Sequence, residues 1–491
     1  MTKTDGAYEK IVQSLKKRKN AATAADVCAA TALPLSEVRE LLTKAADEYQ
    51  ARLQVTQSGE ILYAFPSGFK SRYRGFAAVS GRIIKKSAAF LKKSLVFLFK
   101  VWIMAMLIGY FVLFVLLAIA SVLVSAAAKS SDKGSGSSGS FHFGLFDLLF
   151  RVWFYSELSR PSGGYGNKNR YPNRAGNTGK KNPMYKSIFS FVFGDGDPNK
   201  NWEETGNRAV IAYIQENRGV ISLNEYMAFT GENSLEAEKS ILSFCSKFNG
   251  SPEVTDEGTI VYCFSDLLLK TDSKKSNELL PPVKRLKKFS ANAKKMNITF
   301  MIINAVNLVF GSYFLFNSHT AGLLTTELQY QGASYLYAIT HIILEFVTPD
   351  PVFFLKFVLG VIPILFSILF WLIPALRSML EKKENEKIKN SNLKKIGFSR
   401  IWSSPLFVKP GNLVPRIDEC RPKNLFLACE RIIKDIGAVS SPDVTIAENG
   451  ETLYSFKELA NEKQALEKYR LNRDLSGSNL GKTVFDTDER V

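Results

Sequence analysis

EGTIVYCF, residues Glu257–Phe264, has two counterparts far away in the chain: SGEILYAF at Ser58–Phe65 and NGETLYSF at Asn449–Phe456. Each octapeptide sets a Gly at a turn and then alternates its side chains. A Tyr and a Phe therefore project from the same side of an extended strand, the pattern of the second arm of a hairpin. Outward from this stretch the first two copies stay in gapless register, with Val55 matched to Val254, Thr31 to Thr230 and Asp26 to Glu225. Internal repetition of this kind means one supersecondary module used several times.

In the second copy, over 201–270, the apolar spacing predicts a short helix at Arg208–Asn217 and an apolar link at Val220–Ile221. A second helix is opened by Ser222, with Glu225 at capping-box spacing, and closed by Gly231. A third helix follows at Leu235–Phe248, then a hairpin turning at Asp256-Glu257-Gly258. Helix, helix–turn–helix and hairpin is the order of a winged helix. The first copy, over 7–69, repeats it with Ser36–Tyr49 as third helix. The third copy, over 400–459, is degenerate: Leu425–Ile436 and Val444–Phe456 supply a helix and a hairpin, but Pro405, Pro410 and Pro415 interrupt what comes before.

Between the copies lie apolar runs of membrane length. Residues 94–128, 297–317 and 352–377 each approach or exceed the roughly 20 apolar residues that span a bilayer. Pro363 and Pro374 are expected to kink the third. The fold class expected is an α-helical membrane protein carrying α+β winged-helix-like soluble modules in three copies, the third degenerate. Basic residues crowd the ends of these runs, such as Arg82, Lys85 and Lys86 before the first and Arg377, Lys382 and Lys383 after the third, whereas Ser318–Asp350 contains no Lys or Arg. The positive-inside rule then puts that loop outside and all three copies, with both termini, in the cytoplasm of a bacterial inner membrane. Copies one and two flank a single obvious span, so the chain must return between them. The aromatic segment 141–156, with Asp147 and Arg151 four residues apart, is the candidate: a tilted span, a re-entrant segment or an interfacial helix. The alternative is a bent hairpin near Gly109 within the first apolar run. A similar stretch, 333–347, holds His341 and Glu345. Residues 159–186 read as a basic disordered linker, Ala460–Arg473 as a polar helix and 474–491 as a disordered tail.

The formal net charge of +18, from 64 Lys and Arg against 46 Asp and Glu, collects beside the apolar runs and suits anionic lipid headgroups. Nucleic acid is a poor fit, because the outward face of Leu235–Phe248 leads with Glu236 and Glu238, and carboxylates repel phosphates. With Lys239 and Ser243, those residues are the expected contact face for a protein partner or for self-association. Five scattered cysteines and three histidines give little material for a zinc, iron–sulfur or His-based catalytic site, so no cofactor and no enzymatic activity are expected. The function expected is scaffolding, assembly or regulation by binding protein partners. A membrane-tethered nucleic-acid-binding regulator and a small-solute or ion transporter are the alternatives.

FGDGDPN, Phe193–Asn199, stands apart. Asp195, Asp197 and Asn199 alternate like the start of a calcium loop, but Lys200 stands where such a loop needs Gly, and a tight Asx/Gly turn through Gly194, Asp195, Gly196, Asp197, Pro198 and Asn199 fits better. YKSIFSFVFGDGDPN (Tyr185–Asn199), then VIAYIQENRGVISLNEY (Val210–Tyr226) and VTDEGTIVYCF (Val254–Phe264), with GLFDLLFRVWFY upstream (Gly144–Tyr155), resembles an uncharacterised multi-pass membrane protein family of plant chloroplasts, cyanobacteria and other bacteria. Members sometimes carry an iron–sulfur-cluster-biosynthesis label, for which this chain has no matching cysteine pattern. The resemblance implies an architecture; it brings no catalytic residues.

Overall fold

The computed structural model describes residues 3–18, 21–66, 69, 71–72, 90–91, 93–129, 183–271, 281–321, 335–415, 417–446, 451–476 and 480–487. The aromatic segment 141–156 and the linker up to residue 182 lie outside them. The protein is mostly helical with small antiparallel sheets. It divides into two compact units, one of Met1–Ala88, Asp197–Lys287 and Lys382–Val491, the other of Ala89–Gly196 and Lys288–Glu381.

In the first unit, copy one runs through helices Lys3–Lys17, Ala24–Thr31 and Leu35–Tyr49 into a hairpin of Arg52–Thr56 and Ile61–Ala64. Copy two runs through Trp202–Glu216, Leu223–Thr230 and Ser234–Phe248 into Ser251–Val254 and Ile260–Cys263. Gly59 and Gly258 take φ of 78° and 81° at the hairpin turns, a conformation only Gly adopts freely. The second helices start alike. Thr23 and Ser222 accept the N–H groups of Asp26 and Glu225, and Ala32 and Gly231 end the helices in the left-handed region.

Two details differ from the reading of the sequence. Val220–Ser222 is not merely a link; it is a strand pairing with Ile260–Cys263. Its counterparts are single bridges, Ala22 with Tyr63 in copy one and Val408 with Tyr454 in copy three. The Tyr of every octapeptide therefore pairs across to a residue from the upstream part of its own copy, and copy three keeps this contact although Pro410–Leu413 and Asp418–Cys420 are 3-10 turns. The tail 474–491 is not wholly disordered: Thr483–Asp486 adds a third strand to the outer edge of Arg52–Thr56. That edge is therefore covered.

All three copies share one hydrophobic core. Val27 and Leu42, Ile211 and Phe248, and Ile432 and Phe456 belong to a single cluster with Phe398 and Leu466. Phe248, Phe264, Phe398 and Phe456 are fully buried in it; truncating one large core aromatic typically costs about 3–5 kcal/mol.

The second unit holds the apolar helices. Among the described residues three helices are long and apolar enough to cross a membrane: Lys93–Val124, Lys294–Thr320 and Pro351–Ser403, the last contributing its first part here. The third does not stop at residue 377 but continues without interruption to Ser403, and Pro374 lies inside it. Its irregularity precedes Pro363, as a π-helical segment at Phe354–Val361; the first helix has another at Ala105–Gly109. Shorter apolar helices, Met184–Phe193 and Tyr335–Glu345, complete the unit, the former starting inside the expected linker. Phe114, Phe314, Leu355 and Leu359 are buried between helices, while Leu98, Leu116, Val309, Phe316 and Leu369 face outward and exposed. Gly311 and Gly360 set a close crossing, since a Cβ on Gly360 would meet Leu315 Cα at 3.2 Å.

Candidate functional site

The FGDGDPN turn is built as a set of latches. In the second unit, Gly194 has φ 78° and ψ −178°, and a Cβ there would run into Arg377 Nη1. The Arg377 guanidinium donates to Phe191 O at 2.8 Å, lies 3.4 Å from Glu381 Oε1 and stacks on the Phe289 ring at 4.5 Å. Asp195 Oδ2 accepts from Ser190 Oγ at 2.9 Å and from Ala291 N–H at 2.6 Å. Its carboxylate is thus committed to holding backbone.

Within the first unit, Asp197 Oδ1 accepts Asn199 N–H at 2.9 Å, an Asx-type turn. Asn199 then reads the segment Lys284–Lys287 as another strand would: Nδ2 donates to Arg285 O at 2.8 Å and Oδ1 accepts Arg285 N–H at 2.9 Å. Asn392 does the same to Lys284, at 2.8 and 2.9 Å, and Asn385 to Lys287, at 2.9 and 2.8 Å. Three side-chain amides thus take the place of a missing strand. Sequence reasoning passed over Asn385 and Asn392 as part of a basic flank; their spacing of two helical turns was the available signal.

Beside this ladder sits Lys395, about five turns beyond the apolar part of its helix. Its ammonium is 4.7 Å from the Trp202 ring and donates to Pro282 O at 3.0 Å. Burial, with Lys284 nearby, pulls its pKa down to about 8. Burial also raises Glu232, which faces Lys395 and approaches Ser240.

The repeat-related acids Asp26 and Glu225 are both 2% exposed, and each receives a segment that follows the next copy. Asp26 Oδ2 accepts Thr271 Oγ1 at 2.7 Å and Thr271 N–H at 3.2 Å, with Arg18 3.2 Å away. Glu225 is paired with Arg470 at 2.5 Å and accepts from Tyr213 Oη at 2.7 Å. Arg470 lies on the helix Lys457–Asn472, which also carries Lys468 to Glu257 at 2.5 Å and Tyr469 to Glu253, whose carboxyl stays below its usual range chiefly through that bond. A groove of about 860 Å³ runs beside this helix, lined by Glu257, Ile260, Glu458, Glu462 and Lys468 among others.

Glu236, Glu238, Lys239 and Ser243 all lie exposed on Ser234–Phe248, together with Leu235 and Leu242, which are 65% and 51% exposed. His341 Nδ1 is 3.2 Å from Glu345 Oε1 on the helix Tyr335–Glu345. Among the described residues no group of three His, Cys, Asp or Glu could hold a metal ion. The described cysteines are buried and free; burial, the leading cause, pushes Cys28 up to about 12 and Cys245 to about 11, which keeps both as thiols.

The chain is 27% identical, over 404 residues, to an uncharacterised chloroplast protein of Arabidopsis thaliana, an alignment covering 78% of this chain and 70% of the plant protein. No family model and no solved structure matches.

Proposed function

We propose that this protein is a membrane-anchored scaffold whose three winged-helix-like copies form one docking body for a protein partner. The face of Ser234–Phe248 carries the reading. Leu235 and Leu242 stand two turns apart and exposed, ringed by Glu236, Glu238, Lys239 and Ser243. That is the make-up of a contact patch with apolar anchors inside a charged rim. The partner it suits has apolar side chains flanked by Lys or Arg. A groove-reading role on nucleic acid is disfavoured, because the third helices of copies one and two pack against each other and the free face leads with carboxylates.

Membrane insertion is supported by the length of the three apolar helices, by their exposed apolar faces and by basic flanks suited to anionic headgroups. The proposed site is a bacterial plasma membrane or its chloroplast counterpart. Residues that share one core cannot lie on opposite sides of a bilayer, so copies one, two and three belong to one compartment and an even number of crossings separates each from the next. Lys294–Thr320 and the apolar part of Pro351–Ser403 satisfy this between copies two and three.

A photo-crosslinking residue at Lys239 or Ser243, in native membranes, tests the docking. We expect a discrete adduct with another protein, lost when Leu235 and Leu242 are both changed to Ser. Adducts with lipid or nucleic acid alone would refute the reading.

A further inference from the structure

Among the described residues, the apolar bundle of the second unit buries four side-chain oxygens that have no hydrogen-bond partner: Tyr337 Oη, and a group of three on two other helices, Asn304 Oδ1, Asn307 Oδ1 and Ser367 Oγ. The three side chains are 0%, 1% and 0% exposed. The orientation of both amides is set by their other ends. Asn304 Nδ2 donates to Ser367 O at 3.1 Å, and Asn307 Nδ2 donates to Leu107 O at 2.8 Å. Turning either amide over would sacrifice that bond, so each Oδ1 is held facing away from it.

The three groups are neighbours. Asn304 and Asn307 are three residues apart on one helix and therefore on one face, separated by about 4.5 Å along the axis. The bond from Asn304 brings Ser367 alongside. The surrounding helices are irregular here: Leu107 sits in the π-helical segment Ala105–Gly109, and Val358 O, in the segment Phe354–Val361, takes its hydrogen bond from Tyr110 Oη at 2.9 Å. Pro363 withholds one helical N–H from the turn before Ser367. Side chains of this polarity are costly between apolar helices, and π-helical turns gather at functional sites.

We infer that these oxygens form a binding site for a small monovalent alkali cation. Two amide oxygens and a hydroxyl replace hydration oxygens at close quarters, as neutral carbonyls do in ion-selective pores. A divalent ion would call for carboxylates, and no buried residue of this unit, among those described, is acidic. The full burial of all three side chains limits the occupant to atomic size. The inference rests on the bundle alone and is independent of the docking face.

Purified full-length protein in lipid nanodiscs is melted in sodium, potassium or choline chloride at equal ionic strength, and retention of radioactive sodium and rubidium is measured in parallel. The expected result is a saturable rise in Tm with sodium or potassium over choline, matched by ion retention. Both should be lost in the Asn304→Leu, Ser367→Ala double variant or, where that variant does not fold, in Ser367→Ala alone. Identical melting and no retention in all three salts would mean an ordered water only and overturn the inference, as would a cation shift that survives in the variant. Glu236→Gln with Glu238→Gln should leave the shift intact.

Discussion

At Gly194 the backbone tolerates only a hydrogen as side chain. Its φ of 78° with ψ near 180° belongs to a region essentially reserved for Gly, and the Arg377 guanidinium fills the space a methyl would need. Gly194→Ala should therefore lower stability by about 1–3 kcal/mol. Gly206 makes the contrast: it lies inside the helix Trp202–Glu216 with nothing within 4 Å of an added Cβ, so Gly206→Ala should raise stability by about 0.5–1 kcal/mol. Thermal melts of the two variants check both signs. Lys395 adds a pH dependence. Its folded pKa of about 8 is below the ordinary 10.5, so the unfolded chain holds more protons in between. Stability should rise as pH increases from about 8 toward 10.5, by up to roughly 3 kcal/mol. Lys395→Met should flatten that rise in denaturant titrations across the window. FGDGDPN was legible as a tight turn from its Gly and Asx residues. Its partners were not, because a side-chain amide bonding a distant backbone, as Asn199 does at Arg285, leaves no mark on the sequence around it.

At the scale of elements, the buried pair of Glu225 and Arg470 fastens the helix Lys457–Asn472 to copy two. Removing one member leaves the other buried without a counter-charge, which costs about 3–5 kcal/mol. We expect Arg470→Met and Glu225→Gln each to destabilise by that order, and the double variant to lose much less than their sum in a denaturant-based mutant cycle. The strand Thr483–Asp486 offers a second test. Asp486 is bound by Arg52 and Gln54, and Lys482 O and Leu480 O accept the amides of Gln57 and Ser58. Deleting residues 480–491 should speed hydrogen exchange at Gln57 and Ser58 while the pairing of Arg52–Thr56 with Ile61–Ala64 keeps its protection. The hairpins could be read ahead of the structure because a Gly turn and strict alternation are local. This added strand could not: it is four residues long, its Val484 and Phe485 side chains stay exposed, and its partner lies more than four hundred residues away. The bridge of Val408 to Tyr454 is hidden for a similar reason, being a backbone contact with no side-chain signature.

For the whole molecule, the repeat and the apolar runs were apparent from composition and spacing, but that the copies condense onto one core was not, since core membership depends on contacts between copies. That shared core is the central claim, and the proposed topology rests on it. The direct measurement uses Thr43→Cys, Ser246→Cys and Lys434→Cys, one exposed position per copy, with Pro349→Cys in the loop proposed to lie outside. The native cysteines seen in the structure are buried, which keeps their background labelling low. Each variant, expressed in a bacterial plasma membrane, is treated in intact spheroplasts with a membrane-impermeant maleimide. The expected result is labelling of Pro349→Cys alone, with the other three reacting only after permeabilisation. Labelling of any one copy from outside while the others stay protected would contradict a single shared core.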